Sequence, residues 1–364
     1  MGAPRERDAI AGLVPYEPGR PAADVRRELG DRPVVKLASN EGQLGPFPAA
    51  LEAIAAHAAG LNRYPELGYE LREAVAARHG VPAERVALGN GADALVGYLS
   101  TAFLDAGDEV ALCWPSFVSY RVAAGKMGAT VAAAPLRGSS YDVDALLGVI
   151  GPRTRIAYVC NPNNPTGGIV GREQLAAFMA AVPERVLVVV DEAYHEYVED
   201  PSYPDAVAEH GGRDNVCVLR TFSKMYGLAG LRVGYAIAAP SVATAIAKVR
   251  PAFDVNELAQ IAALASMGDK AEIERRRCAN TEGREQLARD LRGLGLQPLV
   301  SHGNFLTVEV GDAPTVAGQL EAEGVIVRPL GGFGDPRSIR ITVGKPEQNA
   351  MCVAALGRVL QAVG

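Results

Sequence analysis

From about residue 69 the chain alternates short apolar runs with stretches of helical period, and this alternation constrains the fold more than any other feature. Apolar runs at 86–88, 109–113, 130–135, 156–160, 187–190, 216–219 and 233–237 predict strands, and 70–79, 92–103, 117–127, 143–150 and 173–181 predict helices between them. Near-continuous apolar strands separated by helices require a sheet buried on both faces, so the expectation is an α/β fold with a mostly parallel sheet of the seven-stranded type and helices on both sides. Ligands of such sheets sit at the carboxyl ends of the strands.

At 364 residues the chain exceeds the size at which one core keeps growing. Residues 1–33, rich in Pro, Gly and Arg, predict an arm; 34–255 a large ligand-binding domain; and 256–364 a small α/β domain. In the last part, helices at 256–267 and 270–291 precede strands at 299–310, 325–328 and 338–342 and helices at 314–323 and 346–363. The net charge of -6 carries no basic run, which argues against nucleic acid or a membrane surface and for small-molecule partners. Five cysteines with no C-x-x-C pair suit a reducing compartment, and no apolar leader opens the chain, so a cytoplasmic protein is expected. Cys113, Cys160 and Cys217 fall in predicted strands as small core residues, and the five histidines show no metal spacing.

Lys224 lies between two predicted strands in Arg220-Thr-Phe-Ser-Lys-Met-Tyr-Gly-Leu-Ala-Gly-Leu-Arg-Val-Gly-Tyr235, where Gly227 and Gly230 permit a tight turn. A lysine held there is partly desolvated. Its pKa falls, and the neutral amine can attack a carbonyl, as the lysines of pyridoxal phosphate (PLP) enzymes do. Asp191 ends the 187–190 strand, and a carboxylate at that edge calls for a cation. Asn161-Pro-Asn-Asn-Pro-Thr-Gly167 makes an irregular turn after another strand. Gly89-Asn-Gly-Ala-Asp-Ala94 opens a helix after a strand, a phosphate-binding arrangement. It also fits a dinucleotide fingerprint with Glu109 as the acid, but Glu109 begins its strand, at the edge remote from any ligand.

Together these motifs resemble fold-type I PLP-dependent aminotransferases, in particular the histidinol-phosphate aminotransferase branch, over residues 15–344. The resemblance implies PLP as cofactor, with Lys224 as its anchor and the general base and acid, and Asp191 on the pyridine nitrogen. Tyr194 and Asn164 would lie at the phenolic oxygen and Phe117 on the ring. It implies a phosphate site from Gly91, Ala92, Asp93, Ser223 and Arg232, completed by Tyr64 from the second subunit of a homodimer. Substrate would meet Tyr16, Asn40, Arg328 and Arg340, the last gripping an α-carboxylate; on the residues alone, Arg340 also fits a snorkelling strand arginine. The chain departs from the family's usual pattern at Gly42-Gln43 and at Ala94.

The implied reaction moves an amino group between histidinol phosphate, or a related donor, and 2-oxoglutarate. An aromatic amino-acid aminotransferase shares every catalytic residue, and a PLP-dependent lyase or decarboxylase would break a different bond at Cα.

Overall fold

The computed structural model describes residues 4–13, 20–66 and 68–363. Tyr16 lies outside them.

Thirteen strands are present among the described residues. In chain order they are β1 (Val35–Lys36), β2 (Val86–Gly89), β3 (Glu109–Trp114), β4 (Thr130–Arg137), β5 (Ser140–Tyr141), β6 (Thr154–Cys160) and β7 (Leu187–Asp191). Then follow β8 (Val216–Thr221), β9 (Gly234–Ala238), β10 (Phe305–Glu309), β11 (Val325–Ile326), β12 (Arg328–Pro329) and β13 (Ser338–Thr342). The large sheet runs β2-β9-β8-β7-β6-β3-β4-β5. Pairings from β8 across to β4 are parallel. β9 runs antiparallel to both of its neighbours, and β5 folds back on β4 as a two-residue hairpin strand.

Every residue of β7, β8 and β9 is buried, which requires both faces of the sheet to be covered. Val110, Leu112, Ile156, Val188, Val190 and Val218 are all sealed from solvent in one core with the flanking helices. Cys113, Cys160 and Cys217 lie in that core, where burial pushes each thiol up to about 12.

A second core gathers Leu306, Val308, Ile339 and Ile341 with Val316, Leu320, Leu356 and Val359 of the helices Ala313–Ala322 and Pro346–Val363. The long helix Lys270–Gly293 reaches both cores, Ile273 in the first and Leu287 and Leu291 in the second. Residue 255 stands just ahead of the helix Glu257–Met267, whose Ala259, Ala262 and Ala263 pack into the large core. β1 pairs in parallel with β11, so the first strand of the chain joins the small layer.

Three local expectations change. Residues of the arm form a helix, Ala22–Leu29, whose Ala22, Val25 and Leu29 share one face and pack with Ala38 and Ile326. The 299–310 strand shortens to Phe305–Glu309. Its lead-in bends so that the His302 amide donates to Gly167 O at 2.8 Å. The 325–328 strand splits, β11 pairing with β1 and β12 with β13.

The turn after β8 rests on Gly227, whose φ is +68° and whose missing Cβ would stand 2.0 Å from Gly45 O. Gly227→Ala is expected to destabilise the protein by about 1–3 kcal/mol, the cost of a strained backbone conformation that the surroundings no longer accommodate. A urea-unfolding midpoint shifted downward would register it, and an unchanged midpoint would mean that the turn relaxes freely.

Candidate active site

Five segments converge at the carboxyl edge of the large sheet: the ends of β2, β3, β6, β7 and β8. Glu109 instead begins β3 at the opposite edge, where its carboxylate accepts from Thr154 Oγ1 at 2.7 Å, so it cannot serve a ligand at this edge.

Asp191 is the last residue of β7 and 4% exposed. Its Oδ2 accepts a hydrogen bond from Tyr120 O–H at 2.7 Å and its Oδ1 accepts from the Ala193 amide at 3.1 Å. Burial raises its pKa, and these two bonds work against that rise by favouring the charged form. Among the described residues no salt bridge reaches it. Tyr120 is itself fully buried, stacked on Tyr158 at 4.2 Å and edge-on to Phe117 at 5.5 Å. The sequence reading passed over Tyr120; its signal was a polar aromatic three positions after Phe117, on the same face of one helix.

Lys224 follows β8. Its Nζ donates to Ser39 O at 3.3 Å and lies 5.7 Å from the centre of the Tyr194 ring. The side chain keeps some exposed area, yet the ammonium is surrounded by protein. That desolvation, with the Arg340 guanidinium, lowers its pKa to about 8; Arg232 acts in the same direction, while Glu41 and Asp191 oppose it. Tyr194 O–H is buried and pushed up to about 12, and its oxygen accepts from Asn40 Nδ2 at 2.9 Å. Asn40 holds this place with a left-handed φ of 53°.

A cradle for an anion forms at the end of β2. Gly91, φ +84°, caps the helix Ala92–Phe103, and a Cβ there would fall 2.7 Å from Arg232 Nη2. The guanidinium therefore lies against the first turn, beside Ala92 and Asp93, where the helix dipole favours negative charge. Ser223, also buried, accepts from Thr221 Oγ1 at 3.0 Å.

Arg340 is buried on β13 between the rings of Phe305 and Phe333, at 5.5 and 5.7 Å. Its Nη1 donates to Asn164 Oδ1 and its Nη2 to Ala38 O at 2.8 Å. Arg328 is its register partner across the antiparallel β12/β13 pair. Glu323, the acid nearest Arg328 in sequence, bonds to Arg358 at 2.8 Å. Tyr64 stands on the surface, 79% exposed and stacked on Phe253 at 4.5 Å. A cleft of about 510 Å³ between residues 41–44, the long helix and residues 343–350 borders this constellation through Glu41, Met225 and Asn304 but is lined by none of Lys224, Asp191, Tyr194 or Arg340.

These residues suit PLP on their own chemistry. Asp191, buried and in no salt bridge among the described residues, matches a protonated ring nitrogen; the Gly91 and Arg232 cradle matches a phosphate; and Lys224 supplies an amine whose neutral form is accessible near pH 8. The fold and this chemistry define a PLP-dependent transferase. The chain belongs to the family of aminotransferases of class I and II, whose sequence model matches residues 32–356.

Among similar chains is a histidinol-phosphate aminotransferase of Moorella thermoacetica, 43% identical over 98% of this chain and 93% of its own. Another, of Anaeromyxobacter sp., is 45% identical over 97% and 98%. The crystal structure of a histidinol-phosphate aminotransferase from Sinorhizobium meliloti in complex with pyridoxal-5'-phosphate matches with a TM-score of 0.91 at 28% identity, covering 100% of this chain and 99% of that one. A Thermus thermophilus aspartate aminotransferase mutant shares the fold, with a TM-score of 0.87 at 24% identity, covering 98% of this chain and 100% of that one.

In the cofactor-free protein, Lys224 should be acylated half-maximally near pH 8. Ordinary lysines reach that point near pH ~10.4. Since only the neutral amine reacts, its labelling should rise as pH rises through 8 while other lysines stay slow. Mass spectrometry of the labelled peptide would read this, and a Lys224 profile that follows the other lysines would contradict it.

Proposed function

We propose that this aminotransferase moves an amino group between histidinol phosphate, or a closely related donor, and 2-oxoglutarate. The observation that carries the donor is the pair of arginines, Arg340 and Arg328, opposite one another on β13 and β12. A phosphomonoester, with about -1.5 to -2 charges and three acceptor oxygens, gains more from two guanidinium groups than a carboxylate with one charge does. The names carried by relatives at 43% and 45% identity support the same donor.

PLP, when bound, supplies an electron sink that stabilises charge at the substrate Cα. The chain supplies the rest. The hydrogen bonds from Tyr120 and Ala193 favour the anionic form of Asp191 against the upward pull of burial, and that anion would hold a ring nitrogen in its protonated form. Tyr194, steadied by Asn40, and Asn164, steadied by Arg340, hold polar groups at the ring's oxygen side, with Phe117 against the ring. Gly91, Ala92, Asp93, Ser223 and Arg232 hold the phosphate. Lys224 Nζ, whose pKa of about 8 leaves a usable neutral fraction at neutral pH, would take the proton from the substrate Cα and deliver it to C4′ of the cofactor. Arg340 orients the acceptor's α-carboxylate, and Asn40 and Arg328 border the substrate, with Tyr16 as a further contact by resemblance.

The same reading includes a large and a small domain bridged by the Lys270–Gly293 helix, and a cytoplasmic homodimer. Among the described residues no helix is long and apolar enough to cross a membrane. The exposed Tyr64, presented on a surface with Phe253, supports a role in the partner's phosphate site.

Arg328→Ala should lower kcat/KM for histidinol phosphate by about ten- to a hundredfold, the worth of a charge-assisted hydrogen bond of roughly 1.5 to 3 kcal/mol. The loss with phenylalanine or tyrosine should be much smaller. Steady-state kinetics over a donor panel decides, and equal losses, or an unaltered enzyme inactive on histidinol phosphate but active on aromatic amino acids, would favour an aromatic aminotransferase.

A mixture of Tyr64→Phe and Lys224→Ala chains tests the composite site. The hybrid dimer should recover activity, because one of its sites then has an intact Lys224 and the partner's intact Tyr64. No recovery on mixing, or a fully active monomer in solution scattering, would refute the arrangement.

A further inference from the structure

Asp191 and Lys224 leave two neighbouring parallel strands, so their separation depends on how β7 and β8 end. The last ladder pair is Asp191 with Leu219, and the Glu192 amide extends it by donating to Leu219 O at 2.9 Å. The next residues across the ladder are Glu192 and Arg220. Because side chains alternate along a strand, these two meet on the face opposite Asp191.

Both are buried, Glu192 completely. Arg220 Nε and Nη2 converge on Glu192 Oε2 at 2.9 and 2.7 Å. The other carboxylate oxygen, Oε1, accepts from the Ala206 amide at 3.1 Å. Arg220 Nη2 also donates to Asp205 Oδ1 at 2.9 Å, and Asp205 caps the helix Ala206–His210. A contact from the same Nη2 reaches His195 Nδ1 at 3.3 Å. Nη2 has two protons, so the His195 contact can only share one of those given to Glu192 and Asp205; burial and Arg220 lower the imidazole pKa to about 4, which favours the neutral ring.

The network thus ties Glu192, joined by one peptide to Asp191, to Arg220, four residues before Lys224. Apolar residues of similar volume in place of a buried ion pair commonly leave stability unchanged or raised. Stability is therefore a poor account of why the pair is there. An apolar contact has no direction, whereas a guanidinium fork against a carboxylate has one geometry.

We propose that Glu192 and Arg220 are positioning residues that lock the ends of β7 and β8 in one register, and thereby set the placement of Asp191 relative to Lys224. The proposal rests on the assignment of those two residues to the cofactor. That assignment is tested apart from it: Lys224→Ala should abolish the absorbance band of lysine-bound cofactor, and persistence of the band would remove the assignment itself.

The test of the pair is the double variant Glu192→Leu with Arg220→Met, made as holoenzyme. It should remain folded and melt close to the unaltered protein, the loss being confined to the Ala206 amide and Asp205, whose partners the apolar side chains do not replace. It should nevertheless bind PLP about tenfold more weakly, shift the bound-cofactor absorbance, and lose about ten- to a hundredfold in kcat with KM little changed, as expected when reacting groups are displaced by an ångström or less. Native PLP affinity and kcat in a folded double variant would overturn the proposal. So would losses that follow a lowered melting temperature, since the pair would then be structural alone. Arg220→Lys covers the case in which the double variant does not fold. Lysine keeps the charge but not the planar fork. The same losses in smaller measure are expected, and an Arg220→Lys enzyme with native PLP affinity and kcat would overturn the proposal by itself.

Discussion

A carboxylate and an amine that share one buried edge of a sheet pose the constraint on which this structure turns. Left alone, each would be driven by desolvation to its neutral form, Asp191 by gaining a proton and Lys224 by losing one. The two receive opposite treatment. Tyr120 and the Ala193 amide donate to Asp191 and favour its charge. Arg340 and Arg232 bring positive charge toward Lys224 and disfavour its own. The surrounding elements can be understood as the means of holding these donors and cations in place: the helix that carries Tyr120, the β13 strand that carries Arg340, and the left-handed turn at Arg232.

The separation of layers follows from the same constraint. Gly91 and Arg232, which approach one another closely, both lie on segments that flank strands of the large sheet. Arg340 and Arg328 belong to the small layer, and Arg340 reaches the large sheet through Asn164. Groups that suit a permanent ligand are thus built on one support, and groups that suit a transient one on another, joined by side-chain bonds that can be made and broken.

What the sequence disclosed, and what it withheld, divides by range. The strands around the site and the helix Ala92–Phe103 were legible because apolar runs and a glycine before a helix are local signals. Asp191, Lys224 and the turn at 161–167 were legible for the same reason, each lying at the end of a readable strand. Tyr120 was not, because its role comes from a strand 71 positions later. Glu192 and Arg220 stand beside the readable residues, yet nothing in either segment announces that they meet. Val25 packs on Ile326, about 300 positions away, and its helix offers only the short apolar stripe Ala22, Val25 and Leu29, easily lost among the prolines and arginines around it.

The pairing of β1 with β11 has a consequence for the order in which the protein can be built. The large sheet is complete once residue 238 has been made, apart from the helices that cover it. The small layer takes its first strand from residues 35–36 and its last from 338–342, so it cannot close until nearly the whole chain has left the ribosome. Contacts between such distant segments form slowly, since a long loop must close before they give any return. During synthesis Val35 and Leu37 therefore lack, until residues 325–342 have been made, the partners that bury them in the small layer.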